Sequence, residues 1–225
     1  MSDETPTVSF VIPARNEAGF LAQTLESLES LPDEPTWEAI VVDGGSTDAT
    51  PEIASRFEVR LIAGGGEGRG AGREHGARHA EGRWLAFLDA DTTVEPEYLE
   101  TMLSFVQEND LAGAAAGCRV AGGWRTRVYE LFFNHVLWRL SPPVFPGFHI
   151  FVRRSAYFDV GGFETGPNED VTFSRRLGKQ YPTGFCPAVL VETSGRRIDA
   201  EGLFRTTLYY TRKEWRRQSM LRGLV

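Results

Sequence analysis

Between Thr7 and Asp91 the chain alternates short, continuous apolar runs with longer stretches in which apolar residues recur at helical spacing. Val8 to Ile12, Trp37 to Val42, Val59 to Ile62 and Trp84 to Leu88 are each bounded by Gly, Pro, Asp or charged residues. Runs of this kind suit strands buried on both faces of a mostly parallel sheet. Leu21, Leu25, Leu28 and Leu31 share one helical face, and Pro32 and Pro35 stop the helix. Thr50-Pro51-Glu52 predicts an N-cap with proline in the first turn of a short helix to Phe57. Gly70 to Ala80 reads as a third helix, weakened by Gly72 and Gly76, and a fourth begins near Glu95-Pro96 with Leu99, Met102, Leu103 and Val106 on one face.

Past Asp110 the pattern loosens. A small-residue strand is expected at Ala112 to Val120, an aromatic helix at Arg125 to Leu140 and a break at Ser141-Pro-Pro. A strand at Phe148 to Val152, a helix at Asn168 to Gly178, a strand at Ala188 to Val191 and a basic terminal helix at Leu203 to Arg217 complete the expectation. Repeats, low-complexity tracts and linkers are absent from the sequence, so one domain with two functional halves is expected over residues 1–225, dividing near residue 120.

Composition narrows the classes of function. With 41% hydrophobic, 24% charged and 12% aromatic residues, the chain is globular rather than disordered, collagen-like or coiled-coil. Its 24 Lys and Arg against 31 Asp and Glu give a net charge of −7, which argues against nucleic acid as a partner. Lys179 and Lys213 are the only lysines, so positive charge is almost all guanidinium, suited to two-pronged contact with phosphate or carboxylate. Cys118 and Cys186 have no Cys or His at metal-ligand spacing, so neither a zinc site nor a disulfide framework is expected, and a reducing cytoplasm is the default. The start lacks the pattern of a secretory signal, and no run reaches the roughly 18 apolar residues of a membrane span. The expectation is a soluble or at most peripheral protein.

Candidate chemistry gathers where the strands end. Asp89-Ala90-Asp91 follows a buried strand directly, at the edge where open α/β sheets collect ligands. Two carboxylates at this spacing, outside regular strand, suit Mg²⁺ or Mn²⁺ held together with substrate phosphates; an Asp-rich capping turn reads equally from the tripeptide. Asp43 closes the second strand before Gly44-Gly45-Ser46-Thr47-Asp48. Its carboxylate can accept from a nucleobase N–H or ribose hydroxyl, or can simply cap the following turn. Pro13, Ala14, Arg15, Asn16 and Glu17 hold the corresponding position after the first strand. The Gly-rich stretch from Gly64 to Arg73 lets backbone approach a ligand, with Arg69 and Arg73 available to phosphate, although it is neither a P-loop nor a dinucleotide fingerprint.

Four segments in this order and spacing carry a resemblance: Val8-Ser-Phe-Val-Ile-Pro-Ala-Arg-Asn-Glu17, Val41-Val-Asp-Gly-Gly-Ser-Thr-Asp48, Gly70-Ala-Gly-Arg-Glu-His-Gly-Ala77 and Phe87-Leu-Asp-Ala-Asp-Thr92. Together they resemble family 2 glycosyltransferases of the GT-A fold. Gly161-Gly-Phe-Glu164 with Asn168-Glu169-Asp170 resembles the family's acceptor-side motif. The resemblance implies an α/β, Rossmann-like three-layer sandwich with a mostly parallel central sheet and helices on both faces. It also implies a nucleotide-diphosphate-sugar donor, a divalent cation, and inversion at the anomeric carbon. By position, Asp43 would bind the base, Pro13 to Glu17 the nucleotide, Arg73 and Arg69 the diphosphate side, Asp91 the metal, and Asp89 with Ala90 the ribose or the ion. Asp170 would take the proton of the acceptor hydroxyl, with Glu169 beside it.

The chain departs from the family in two places. Gly44 stands where members carry a second Asp, and the Gln-x-x-Arg-Trp signature of processive members is absent, so non-processive transfer is expected. Ser194-Gly195-Arg196-Arg197 resembles a basic closing segment of some members, or is a solvated turn. For the acceptor, a saccharide or a lipid-linked sugar, Tyr129, Phe132, Phe133, Trp138, Phe145, Phe148 and His149 form either a pocket or core. The terminal basic helix suits the inner face of an anionic membrane. Two other readings compete: a catalytically inactive nucleotide-sugar-binding or scaffolding protein of the same fold, and a nucleotidyltransferase.

Overall fold

The computed structural model describes residues 5–66, 68–135, 144–164, 166 and 168–196. The four N-terminal apolar runs become β1 (Val8–Ala14), β2 (Trp37–Asp43), β3 (Arg60–Ala63) and β4 (Trp84–Leu88). They are followed by β5 (Thr92–Val94), β6 (Gly113–Ala121), β7 (His149–Arg153) and β8 (Thr183–Ser194), and one sheet runs in the order β3-β2-β1-β4-β7-β6-β8-β5. Pairing is parallel across β3-β2-β1-β4 and between β6 and β8; β7 runs antiparallel to both its neighbours, as does β5 to β8.

Alternation along the strands makes two cores. Val8, Phe10 and Ile12 of β1, with Trp84, Ala86 and Leu88 of β4, face the layer formed by α1 (Leu21–Glu29) and α4 (Tyr98–Glu108). Val11, Leu85 and Phe87 face the opposite layer, where Ala77 of α3 (Arg69–His79), Ala156 and Tyr157 of α6 (Arg154–Asp159), and Phe173 and Leu177 of α7 (Glu169–Gln180) pack. The three-layer expectation is thus met. Leu25 and Leu28 of α1 are each 1% exposed, so truncating either to Ala would cost about 2–5 kcal/mol.

Several boundaries differ from the sequence reading. The α2 helix (Thr50–Ala54) has Ala49, not Thr50, at its cap, and Asp48 accepts from the Thr50 N–H at 3.0 Å instead. Helix α5 (Trp124–His135) starts one residue before the expected aromatic helix, while residues 136–143, including Trp138, are outside the described residues, as are Arg197 and the basic segment Leu203 to Arg217. No described helix is long and apolar enough to cross a membrane.

The topology decides where a site can form. From β1 the chain winds outward to β2 and β3, then returns to place β4 on the other side of β1, so a crevice opens at the C-terminal ends of β1 and β4. Leu88 at the end of β4 pairs with His149 at the start of β7, which brings Gly147 and Phe148 to the same edge.

Candidate active site

The Asp89-Ala90-Asp91 turn is pinned from four directions. The Asp89 N–H donates to the Phe148 carbonyl at 3.2 Å, Thr92 N–H returns to the Asp89 carbonyl at 3.1 Å, and Ser194 N–H donates to the Asp91 carbonyl at 3.1 Å. From below, the buried Thr24 hydroxyl of α1 donates to the Ala90 carbonyl at 2.9 Å. Thr24 sits among the leucines of the α1 face, and the one signal for its role is a polar residue at a core position.

Helix α3 carries the arginine that organises the site. Its glycines weaken it in isolation, but a Cβ at Gly72 would lie 3.0 Å from the Pro13 side chain and one at Gly76 would overlap Val11, so their absence lets the helix settle on β1. That approach buries Arg73, which is 1% exposed. Its Nη2 donates to Asp89 Oδ1 at 2.6 Å and to the Gly147 carbonyl at 2.5 Å, and its Nη1 donates to Glu169 Oε1 at 3.0 Å. The guanidinium also lies over the Phe163 ring at 5.5 Å. Arg73, expected on the diphosphate side, thus gives three N–H groups to two carboxylates and a carbonyl, while its buried Nε–H has no hydrogen-bond partner among the described residues.

Glu169 and Asp170 occupy the first turn of α7, where the helix dipole favours acids. Asn168, ahead of them, adopts the left-handed region at φ 57, a conformation asparagine tolerates better than most residues. Asp170 Oδ1 accepts from the Val171 N–H at 2.9 Å, while Oδ2 lies against Gly147. Burial pushes the Asp170 pKa up, with the Glu169 carboxylate adding to the rise, while Arg73 and the Val171 N–H oppose it. A carboxylate so placed is a stronger proton acceptor than one in water.

Asp89 and Asp91 diverge. Asp89, expected at the ribose or the ion, is held between Arg73 at 2.6 Å and Arg69 at 3.6 Å. Asp91 faces the other way. Arg196 Nη2 lies 3.2 Å from Asp91 Oδ2 and 2.7 Å from Glu17 Oε1, with its guanidinium over the Phe20 ring at 4.4 Å. Burial raises the Asp91 pKa to about 6, with Asp89 and Glu17 adding to it and Arg196 and Arg69 opposing.

Two observations suit a divalent cation here. Asp91 and Glu17 already converge on one positive nitrogen, and Glu17 Oε2 is buried with no hydrogen-bond partner among the described residues. The donors are hard oxygens, as Mg²⁺ and Mn²⁺ prefer. Among the described residues no cluster of three or more acids, His or Cys is spaced to cage an ion alone, so substrate oxygens would complete the shell.

The loops after β1 and β2 are stitched together. Asn16, at φ 55, receives the Thr47 N–H at 2.8 Å and gives its own N–H to Ser46 Oγ at 2.9 Å; Gly44 N–H donates to the Ala14 carbonyl at 2.9 Å. Arg15 is exposed, Pro13 is half-buried and Ala14 is buried. Asp43 accepts the N–H groups of Gly45 and Ser46 at 3.2–3.3 Å, so it does cap its turn; a carboxylate has further acceptor capacity. Parallel register places Ala14, Asp43 and Ala63 side by side at the edge that Asp89 shares.

Of the candidate acceptor aromatics, Phe133, Phe145 and His149 are core. His149 accepts the Ala116 N–H on Nδ1 at 3.1 Å and so donates from Nε2 to the Tyr98 hydroxyl at 2.8 Å, with burial pushing its pKa down to about 3. It is a neutral structural staple. Cys118 and Cys186 are buried free thiols.

A family model described as Glycosyl transferase family 2 matches residues 9–163. The chain belongs to glycosyl transferase family 2. This family 2 chain is 41% identical over 117 residues to the "Succinoglycan biosynthesis protein ExoO" of Rhizobium meliloti (strain 1021), covering 50% of the chain and 32% of that protein. It is 31% identical over 175 residues to the "Glycosyltransferase AglE" of Haloferax volcanii, covering 72% and 58%. The chain thus spans from about a third to somewhat over half the length of these curated relatives. Among solved structures, TarS 1-349 of S. aureus in complex with UDP superposes with a TM-score of 0.69 at 18% identity, covering 84% of this chain and 60% of that one. A mannosyltransferase from Pyrobaculum calidifontis in complex with GDP-Man and Mn²⁺ gives 0.67 at 21% identity, covering 85% and 57%. These likenesses show the shared GT-A fold. The family 2 match spans Asp43, Arg73, Asp89 and Asp91 and ends before Glu169 and Asp170.

Proposed function

We propose that this family 2 chain moves a sugar from a nucleotide-diphosphate-sugar donor to an acceptor hydroxyl, with inversion, in a metal-dependent and non-processive reaction. The observation that carries the reading is the Arg73 bridge, which joins Asp89, beside the candidate metal carboxylate Asp91, to Glu169, beside the candidate base Asp170. That link supports reading the two acidic pairs as a donor-activating group and a proton acceptor of one reaction.

In this reading Asp43 accepts from the base, and the Pro13 to Glu17 loop lines the nucleotide. Asp91, with Glu17 nearby, holds Mg²⁺ or Mn²⁺, which when bound supplies positive charge to the leaving diphosphate. Arg69, with its side chain 45% exposed, supports the diphosphate side. Asp170 takes the acceptor's proton as the hydroxyl oxygen bonds to the anomeric carbon. The bond from that carbon to the phosphate oxygen breaks, and its electron pair leaves with the nucleoside diphosphate. General-base help of this kind contributes about 10²- to 10⁴-fold. Glu169, held by Arg73, acts as a positioning residue. Donors bound by the solved neighbours, named as UDP-GlcNAc and GDP-Man complexes, support this donor class. The acceptor is a saccharide or a lipid-linked sugar.

The test is release of UDP or GDP from UDP-glucose, UDP-GlcNAc and GDP-mannose with Mn²⁺ present, scored beside product mass. Release by the wild-type chain that falls at least about 100-fold in Asp170→Asn supports the reading. Equal release by that variant would overturn the base assignment, and no turnover of any donor would overturn the activity.

A further inference from the structure

Helix α5 is apolar on two sides, and among the described residues only the inner one is covered. Inward, Phe133 packs on Phe148 with ring centroids 5.3 Å apart, Asn134 clasps both the N–H and the carbonyl of Cys118, and Glu130 accepts the Val120 N–H at 3.0 Å. Those side chains satisfy the part of β6 that β7 leaves unpaired. Outward, Trp124, Val128, Leu131 and Phe132 are 73%, 45%, 58% and 47% exposed.

At about 100° per residue these four fall within an arc of roughly 100°, a continuous stripe along the helix. Arg125 and Arg127 are both exposed and lie on opposite borders of that arc. Arg125 reaches back over the Trp124 ring at 5.5 Å. The helix's one acid, Glu130, is turned inward onto β6. A stripe of large apolar side chains bordered by two arginines, on a chain whose net charge is −7, is a local reversal of the overall surface. Arginines so placed can extend their stems along apolar surface while the guanidinium groups stay at its polar boundary.

We infer that the outer face of α5 is a docking surface for an anionic lipid bilayer, with Trp124, Val128, Leu131 and Phe132 entering the headgroup boundary and Arg125 and Arg127 meeting lipid phosphates. Such a helix lies in the plane of the interface and needs no membrane-spanning segment. The surface stands on α5 alone and does not depend on the transfer reading. Its consequence does rest on that reading: Phe148, against which the inner face packs, follows Gly147, whose α-carbon lies against Asp170, so a lipid-borne acceptor would be met on the side where the candidate base sits.

The experiment is sedimentation of the full chain with vesicles of phosphatidylcholine alone or with about one third phosphatidylglycerol, in the absence of any nucleotide. Wild type should bind the anionic vesicles and bind the neutral ones much less. Leu131→Glu with Phe132→Glu, both at exposed positions, should lower anionic-vesicle affinity about ten-fold or more at an unchanged melting temperature. Arg125→Gln with Arg127→Gln should lower it about 30-fold, at about 1 kcal/mol per lost charge, and leave neutral-vesicle binding as it was. No wild-type binding to anionic vesicles, or undiminished binding by the glutamate pair, would overturn the inference. So would a dimer dissolved by the glutamate pair in a chain that ignores vesicles, which would make the face a contact between copies.

Discussion

The carboxylate of Asp170 rests on the bare α-carbon of Gly147: a methyl group built there would lie 2.8 Å from Oδ2. The Gly147 carbonyl is meanwhile an acceptor for Arg73, so this glycine cannot retreat without breaking the site's central bridge. Gly147→Ala should therefore push the Asp170 carboxylate aside. The expected result is a loss in kcat of about ten-fold or more with nucleotide affinity nearly unchanged, measured by steady-state kinetics beside nucleotide titration.

Arg73 is buried together with two carboxylates, and removing its charge takes an ion-pair partner from Glu169 and leaves Asp89 to Arg69 at 3.6 Å. Arg73→Met should destabilise the fold by about 3–5 kcal/mol, read from urea denaturation midpoints. Arg73→Lys keeps the charge, but one ammonium group cannot reproduce a planar fork bound to three acceptors, so most of the activity should be lost even where the fold survives.

Asp91 predicts a pH dependence with a definite sign. Its folded pKa of about 6 lies above the ordinary carboxylate value near 4, so the native state holds the proton more tightly than the unfolded chain does. The associated stability is fully present below pH 4 and is lost as the pH rises through 6. Asp91→Asn removes the charge, and should raise stability at pH 7.5 by about 1–2 kcal/mol while matching wild type near pH 4. Thermal melts across this range would check it, and a variant less stable than wild type at pH 7.5 would contradict it.

Much of this was legible in the residues, unevenly. Trp84 to Leu88 coincides with β4 because a strand buried on both faces leaves an unbroken apolar run. Strand β8 runs from Thr183 to Ser194, well beyond the expected Ala188 to Val191, because Gly184 and Pro187 interrupt the pattern while pairing with β6 carries the strand through an irregular register. Strand β5 and helix α6 were not legible: Thr92–Val94 is three residues long and depends on β8, and α6 buries little beyond Ala156 and Tyr157. In the site, Asp89, Asp91, Glu169 and Asp170 stood out as acids at strand and helix ends. Arg73 read only as a cation available to phosphate, since the acceptors that bury it come from positions 16, 74 and 96 residues away.

A second support for the α7 end comes from Tyr157. Its hydroxyl donates to Glu74 Oε2 at 2.6 Å and accepts the Phe163 N–H at 3.1 Å, tying the loop ahead of α7 to α3. Tyr157→Phe leaves the buried Phe163 N–H without this acceptor. A loss of about 1–3 kcal/mol in denaturant unfolding is expected, with kcat falling further than nucleotide affinity.

In the proposed function the crevice at the ends of β1 and β4 binds a nucleoside diphosphate through a metal held by Asp91. Calorimetric titration of the full chain with UDP and with GDP, in Mn²⁺ or Mg²⁺ and then in EDTA, tests it most directly. Metal-dependent binding of one nucleotide is expected, reversed by EDTA, abolished by Asp91→Ala and nearly intact in Asp170→Asn. Binding by neither nucleotide under any metal condition, or binding indifferent to both EDTA and Asp91→Ala, would contradict it.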